Sequence, residues 1–397
     1  MTAERDFAVP SSASGRTAVV LTAHPKSPAM TSAADATAER ESFFDAPSYR
    51  ARVLCDSVSP GGHRLTTMEV TFPRFVLGHV LAHRVFSRNT ASSRAIPVVK
   101  QMRRALLSPY VPMEFGTNRP GMQAGPPLDD ERHAVARREW LRARDLAVLQ
   151  TLRLITDPDF VDGVLSGAGV SPESLLSAVD RAARHLNERP TSARHLGTHK
   201  QIANRLLEPF LWQTVIVTAT EWRNFFALRC HPDADPALQY IAVMMRTAYD
   251  DSTPNLCGYE EWHLPLVGDA QDRHNPLVRQ HVKEVAVGRC ARVSYLTHDG
   301  VRDPAADIRL HDRLASAGHL SPFEHVARPM RPTELRRGGW TGNLRGWHQY
   351  RKDIPNEDNF SKVTAAACSS SRKERRAPVV PIPSGHRRHA PSSDGVA

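Results

Sequence analysis

The sequence predicts an α+β fold in which helices dominate, and three observations carry that prediction. Two short segments near the start, Arg52–Cys55 and Thr66–Phe72, read as strands, the second with apolar side chains alternating at 68, 70 and 72. Much of the remaining chain repeats apolar residues at helical spacing, most clearly Asp129–Ile155, with Ala134, Trp140, Leu141, Leu146, Leu149 and Leu152 in register. Finally, the chain has neither a Gly-x-Gly-x-x-Gly nor a Walker-type phosphate loop.

Taken in order, residues 1–48 are rich in Ala, Ser, Thr and Pro without a sustained period, and read as a mobile tail. After the second strand, Pro73 is placed to open a helix through about Arg84, because proline is tolerated in a first turn. Ser171 and Pro172 form an N-cap with proline at the first helical position, starting a helix to about Leu186. Further helices are expected at His199–Thr218, Glu221–Leu228, Pro236–Tyr249 and His281–Ser294. The last, Pro304–Ala317, is stopped by Gly318. Residues 49–364 thus make one catalytic-sized domain. Residues 365–397, with Arg372–Arg376 and Arg387-Arg388, read as a basic tail.

Bulk properties narrow the function. The 397 residues carry a formal net charge of +10, with arginine well ahead of lysine. That excess suits bidentate recognition of phosphates or carboxylates, either on small ligands or on nucleic acid, and equally suits a basic protein from an arginine-rich coding background. The five cysteines (Cys55, Cys230, Cys257, Cys290, Cys368) are far apart and contain no Cys-x-x-Cys pair, which argues for a reducing compartment without a disulfide framework. No apolar run approaches membrane-spanning length, and a cytoplasmic protein is expected.

The densest chemistry lies in Ala82–Arg94, which packs a histidine, three arginines, three serines and an asparagine into thirteen residues. Such donors suit a phosphate and a planar, carbonyl-bearing ring; a polar loop after a core helix is the plain alternative. His79 and His83 would share a helix face, but Val80 stands where a zinc-binding His-Glu-x-x-His motif needs glutamate, and no metal site is expected. One of the two histidines is expected to pack structurally and the other to donate a hydrogen bond at the helix end.

The segment His83-Arg84-x-x-Ser87-x-Asn89-x-x-Ser92-x-Arg94 resembles the signature of the flavin-dependent thymidylate synthases, the ThyX family. Two positions depart from it: Ala82 replaces the first arginine, and Thr90 stands where an acidic residue is common. Ala203–Pro209, Arg223–Arg229 and Gln239 resemble the family's nucleotide-binding segments. Ala291-Arg292-Val293-Ser294 and Gly318-His319-Leu320-Ser321-Pro322-Phe323-Glu324-His325 resemble two segments that in the family precede the signature, so the motif order looks circularly permuted. Gly342–Lys352, reading as an amphipathic helix over a buried Trp347, could add Gln349 and Arg351.

The resemblance implies a helix-rich ThyX-like fold with an antiparallel sheet, assembled as a homotetramer with flavin sites between subunits. It implies FAD contacts from His83, Arg84, Asn89, Ser294, His319, Ser321 and Glu324. It implies dUMP binding by Ser92, Arg94, Arg205, Arg229 and Gln239, with Arg229 and Ser92 as the catalytic pair. The activity implied is reductive methylation of dUMP to dTMP, with NADPH as reductant and 5,10-methylenetetrahydrofolate as carbon donor. The same scaffold could transfer a hydroxymethyl group or take another pyrimidine nucleotide, and a non-catalytic nucleic-acid-binding protein is the reading from a different class.

Overall fold

The computed structural model describes residues 48–166, 169–185, 194–295, 303–355 and 357. The expected tails lie outside these residues, apart from Ser48. Strand β1 (Arg50–Val58) and β2 (Arg64–Pro73) form an antiparallel pair with a bulge between Val53 and Cys55. A short helix α1 (Leu77–Leu81) leads to β3 (Ser87–Thr90). The chain then makes a helical excursion through α2 (Val98–Leu107), α3 (Asp130–Ile155), α4 (Pro158–Leu165), α5 (Pro172–His185) and α6 (Lys200–Ala203). It returns as β4 (Trp212–Ala219), followed by α7 (Arg223–Arg229), α8 (Pro236–Asp250) and β5 (Asn255–Leu256). The last third holds α9 (Ala270–His274), α10 (Pro276–Gln280), α11 (Val282–Tyr295) and α12 (Pro304–Ala317). The 3-10 turn Ser321–His325 then leads into β6 (Ala327–Pro329), α13 (Pro332–Leu335), β7 (Trp340–Thr341), β8 (Leu344–Arg345) and β9 (Trp347–Gln349).

The fold class is α+β. The main sheet runs in the order β3-β4-β2-β1-β5, antiparallel except where β5 joins β1. Side chains alternate across it with period two. Met68, Val70, Phe72, Val215, Val217 and Ala219 meet α8 through Leu238, Ile241 and Met245, with Trp222 and Phe225 closing the layer. On the opposite face Ile216 packs on Cys290 and Val293 of α11. The excursion keeps a core of its own, around Met102, Leu152, Leu175 and Leu207. Among the described residues no helix is long and apolar enough to cross a membrane.

Three expectations are corrected. The helix expected over His199–Thr218 stops within α6 and a 3-10 turn that contains Pro209, and continues as β4. Proline removes a helical donor, and the β-branched run Thr214–Thr218 is stiff at χ1 and favours a pleated, buried surface. The helix expected from Pro73 to Arg84 shrinks to α1 and a 3-10 turn, because Pro73 pairs with Trp212 as the last residue of β2. The helix expected over Gly342–Lys352 is instead β8, β9 and a 3-10 turn, with Gly342 and Gly346 at φ of 57° and 73°, where an L side chain is strained. Trp347 is fully buried there, as expected. The other helices agree within a few residues, including the stop at Gly318 with φ 73°. The end of the Ser171-capped helix near Leu186 lies outside the described residues.

Candidate functional site

The signature segment does not continue a helix; its centre is the edge strand β3. The two segments that stand out of order in the sequence both pack against it. Asn89 on β3 is buried and donates from Nδ2 to the Cys290 carbonyl of α11 at 2.6 Å. The carboxylate of Glu324, in the 3-10 turn, lies close enough to Arg88 to act on its charge, and Arg351 donates to that same carboxylate. Behind them α11 and α12 approach so closely that a Cβ on Gly288 would sit 2.5 Å from the Asp307 carbonyl oxygen. Buried Arg289 holds Asp272 with two bonds of 2.6 and 2.7 Å, while Arg292 donates to Asp307 at 2.5 Å. Arg292 of the Ala-Arg-Val-Ser segment is therefore a structural tie between helices.

At the start of β3, His83 and Arg229 meet. Arg229 Nε donates to His83 Nε2 at 3.0 Å. An arginine Nε–H can only donate, so His83 Nε2 carries the lone pair and Nδ1 the proton. Of the two roles expected for His79 and His83, packing falls to His83, against Phe86 and Phe225, while the bond seen here has His83 accept. The imidazole stands edge-on to Phe225, with ring centroids 4.9 Å apart, and its pKa is lowered by burial first, then by the Arg229 and Arg88 charges. It is thereby kept neutral and accepting near pH 7. Arg88 ties the segment down by donating to the carbonyls of His83 at 3.1 Å and of Leu81. Gln239 reaches the end of α7 and donates to the His231 carbonyl at 2.9 Å, fixing the turn just after Arg229. Arg84 and His79 are exposed.

At the far end of β3 lies the turn that carries Ser92 and Arg94, both exposed. The four-residue strand puts roughly 10 Å between its own ends at ~3.3 Å per residue. Within one chain the expected substrate residues therefore fall into two groups. Ser92 accepts from the Arg94 N–H at 3.3 Å and anchors the turn through Ala95 N–H to Ser92 O at 2.9 Å. Thr90, the departure from the family's acidic residue, donates to the Thr214 carbonyl at 2.6 Å and accepts from Gln213. Gln213 in turn accepts from Arg74, which pairs with Glu208 at 3.2 Å. Arg205 extends from the same 3-10 turn, 63% exposed, 4.0 Å from Glu208.

The back of the sheet carries a buried polar chain that the sequence reading missed. Ser57 Oγ lies 2.8 Å from His263 Nδ1, His263 Nε2 lies 2.8 Å from Thr67, Thr67 lies 2.6 Å from Thr218, and Thr218 lies 2.8 Å from His325 Nδ1. Burial pushes both histidines down to about 3, and His263 adds to the effect at His325. This chain holds the Ser321–His325 turn on β4 through Thr218. No single motif announces it, because its members come from separate elements.

Of the remaining expected residues, His319 and Ser321 are exposed beside that turn, and Glu324 is mostly buried between Arg88 and Arg351. Gln349 is buried and donates to Ser87 Oγ at 3.0 Å, so it braces β3. The Ser294 side chain lies outside the described residues. No group of three or more His, Cys, Asp or Glu suited to a metal ion occurs among the described residues. Arg88, Asn204 and Gln213 were not singled out from sequence. Arg88 alone was legible, as the second arginine of the dense segment.

No family model matches the chain, and no curated protein matches it. Among solved structures it is similar to the UMP/dUMP methylase PolB from Streptomyces cacaoi bound with 5-Br UMP, at 16% identity and a TM-score of 0.35, over 51% of this chain and 89% of that one. The same methylase bound with 5-Br dUMP gives 18% identity and a TM-score of 0.32, over 51% and 90%.

Proposed function

We propose that the chain is a flavin-dependent methylase of pyrimidine nucleotides that acts as a thymidylate synthase, making dTMP from dUMP. The observation that supports this most is the contact between a neutral His83 and Arg229. It aims a guanidinium from α7 beside the signature strand, against which both displaced motif segments also pack. The residues present fit a planar anionic cofactor. Arg84, His319 and Ser321 are exposed, Arg88 lies near the Glu324–Arg351 pair, and no side-chain bond occupies the first three among the described residues. When bound, reduced FAD supplies hydride, NADPH restores it, and 5,10-methylenetetrahydrofolate supplies the carbon.

The protein's own contribution is electrostatic. Arg229 donates toward the pyrimidine carbonyl and stabilises charge pushed onto it, an effect of about 3 kcal/mol for a well-placed donor in a dry site. His83 holds that guanidinium in place by accepting from Nε, which leaves the Nη groups for substrate. Ser92, Arg94 and Arg205 bind the nucleotide. A cysteine nucleophile plays no part in this reading, since burial raises the pKa of the Cys230 thiol and disfavours its thiolate. The two groups of substrate residues sit at opposite ends of β3, and in this reading the phosphate lies at the Ser92 end and the pyrimidine at the Arg229 end. A cytoplasmic homotetramer, as the family resemblance implies, is part of the proposal.

Tritium release from 5-labelled dUMP tests it. Release that requires FAD and is lost in Arg229→Ala is the expected outcome; undiminished release in both Arg94→Ala and Arg229→Ala would sink the proposal.

A further inference from the structure

The turn after β3 is held by side chains that lie beneath it. Asn204, fully buried, donates from Nδ2 to the carbonyls of Ser93 at 2.7 Å and Ile96 at 3.0 Å. Gln213, 4% exposed, donates from Nε2 to the Ala91 carbonyl at 3.1 Å and to Thr90. Lys200 reaches the Ala95 carbonyl at 3.2 Å, and the Ser92 carbonyl is taken by the Ala95 N–H. So the carbonyls of 91, 93 and 96 turn toward buried carboxamides, that of 95 meets Lys200 at the surface, and that of 92 is closed within the turn.

A trans peptide points its N–H opposite to its C=O, and the described residues contain no cis peptide. Drawing the Ala91 carbonyl inward therefore sends the Ser92 N–H outward, while the Arg94 N–H closes on the Ser92 hydroxyl oxygen at 3.3 Å. The backbone N–H groups of Ser92 and Ser93 have no protein partner among the described residues. The Ser92 hydroxyl oxygen accepts from Arg94 N–H, which leaves its own proton to donate outward. The Ser92 N–H and hydroxyl beside the exposed Arg94 guanidinium, with the unpartnered Ser93 N–H next in the chain, make a set of donors suited to an anion.

We infer that Asn204 and Gln213 are positioning residues for a phosphate monoester: by holding the carbonyls of Ala91, Ser93 and Ile96 they set the shape of the turn that presents the Ser92 N–H, the Ser92 hydroxyl and Arg94 to the phosphate. This rests on the reading of the chain as a nucleotide enzyme, and it adds the two carboxamides that the signature does not contain. They act through the turn and do not touch substrate. Arg74 and Glu208 support Gln213 from behind, with the Arg74 guanidinium donating to Gln213 Oε1 and to Glu208. Substituting either carboxamide leaves inward carbonyls without donors, and the turn rotates them toward water.

The test is calorimetric titration of the full chain with dUMP, deoxyuridine and inorganic phosphate. Asn204→Leu and Gln213→Met each remove the donors without adding charge. Each is expected to weaken dUMP about tenfold or more, ~1.4 kcal/mol, while deoxyuridine binding is little changed. Variants that bind dUMP like wild type, or that lose dUMP and deoxyuridine alike, overturn the inference. Where Asn204→Leu fails to fold, Gln213→Met and the wild-type amide spectrum decide. The Ser92 and Ser93 N–H resonances are expected to shift on adding inorganic phosphate, and resonances that stay put overturn the inference. A wild type that binds inorganic phosphate through this turn but not dUMP refutes the pyrimidine reading and leaves the role of the carboxamides standing. A wild type that binds neither overturns both.

Discussion

At the start of β3 a motif histidine and a motif arginine bind each other across 146 residues of sequence, whereas at its end Ser92 and Arg94, among the described residues, hydrogen-bond within their own turn. The first pair is preorganised by direct contact and partial burial. The second is exposed and takes its shape from Asn204 and Gln213 underneath. Chemistry needs a fixed charge in a dry place, and recognition of a phosphate needs donors left open to solvent. The two ends of one short strand meet those two demands by opposite means.

The sharpest way to break this contrast is to remove one arginine from each end. Arg229→Ala is expected to lower kcat by about 100-fold or more, the size of a lost transition-state donor, with dUMP affinity less affected. Arg94→Ala is expected to raise KM with kcat largely retained. Equal effects on both parameters in both variants would erase the distinction.

The pH profile sharpens it further. His83 is held below its ordinary value by burial, then by Arg229 and Arg88. Neutral His83 accepts from Arg229; once protonated, it presents a donor to a donor. Turnover should therefore be full above the usual histidine value of about 6.5 and fall as pH drops through the depressed pKa. His83→Gln, which keeps an acceptor, is expected to retain more activity than His83→Leu and to lose that acid limb. An unchanged acid limb in His83→Gln would assign it to another group.

Stability separates the sheet's back from both ends. His263 and His325 are neutral in the fold with values of about 3. A depressed folded pKa gives stability that is present above the unfolded value of about 6.5 and lost as pH falls from there toward 3. The urea midpoint should drop over that window. Thr218→Val strips a partner from both Thr67 and His325 and is expected to cost about 1–3 kcal/mol at neutral pH. A midpoint that stays flat with pH would mean that protons reach neither ring. The smallest effect is expected from Arg205→Ala: an exposed pair 4.0 Å apart contributes less than about 1 kcal/mol, so its melting temperature should barely move.

What could be read in the sequence depends on which signals are local. The alternation at 68, 70 and 72, the Gly318 stop and the α8 and α12 helices are short-range patterns, and each appears where expected. β4 was hidden because its β-branched run followed a helical segment without a gap, and Pro209 was the one sign of the break. His83 and Arg229 could be named because their spacing within separate motifs is informative, although their hydrogen bond was not foreseen. Asn204 and Gln213 lay in a stretch read as helix, where a carboxamide is ordinary. The Ser57–His263–Thr67–Thr218–His325 chain could not be read, since its links join residues as far as 206 positions apart.

Methylation of a pyrimidine nucleotide with a flavin is the activity proposed for these residues. The most direct measurement is mass spectrometry of the product formed by the full chain from dUMP with FAD, NADPH and 5,10-methylenetetrahydrofolate. A product heavier than dUMP by one methylene unit, absent when FAD is omitted and formed about 100-fold more slowly or worse by Arg229→Ala, is the predicted result. Unmodified dUMP, or a product carrying an additional oxygen that marks hydroxymethyl transfer, would contradict the claim.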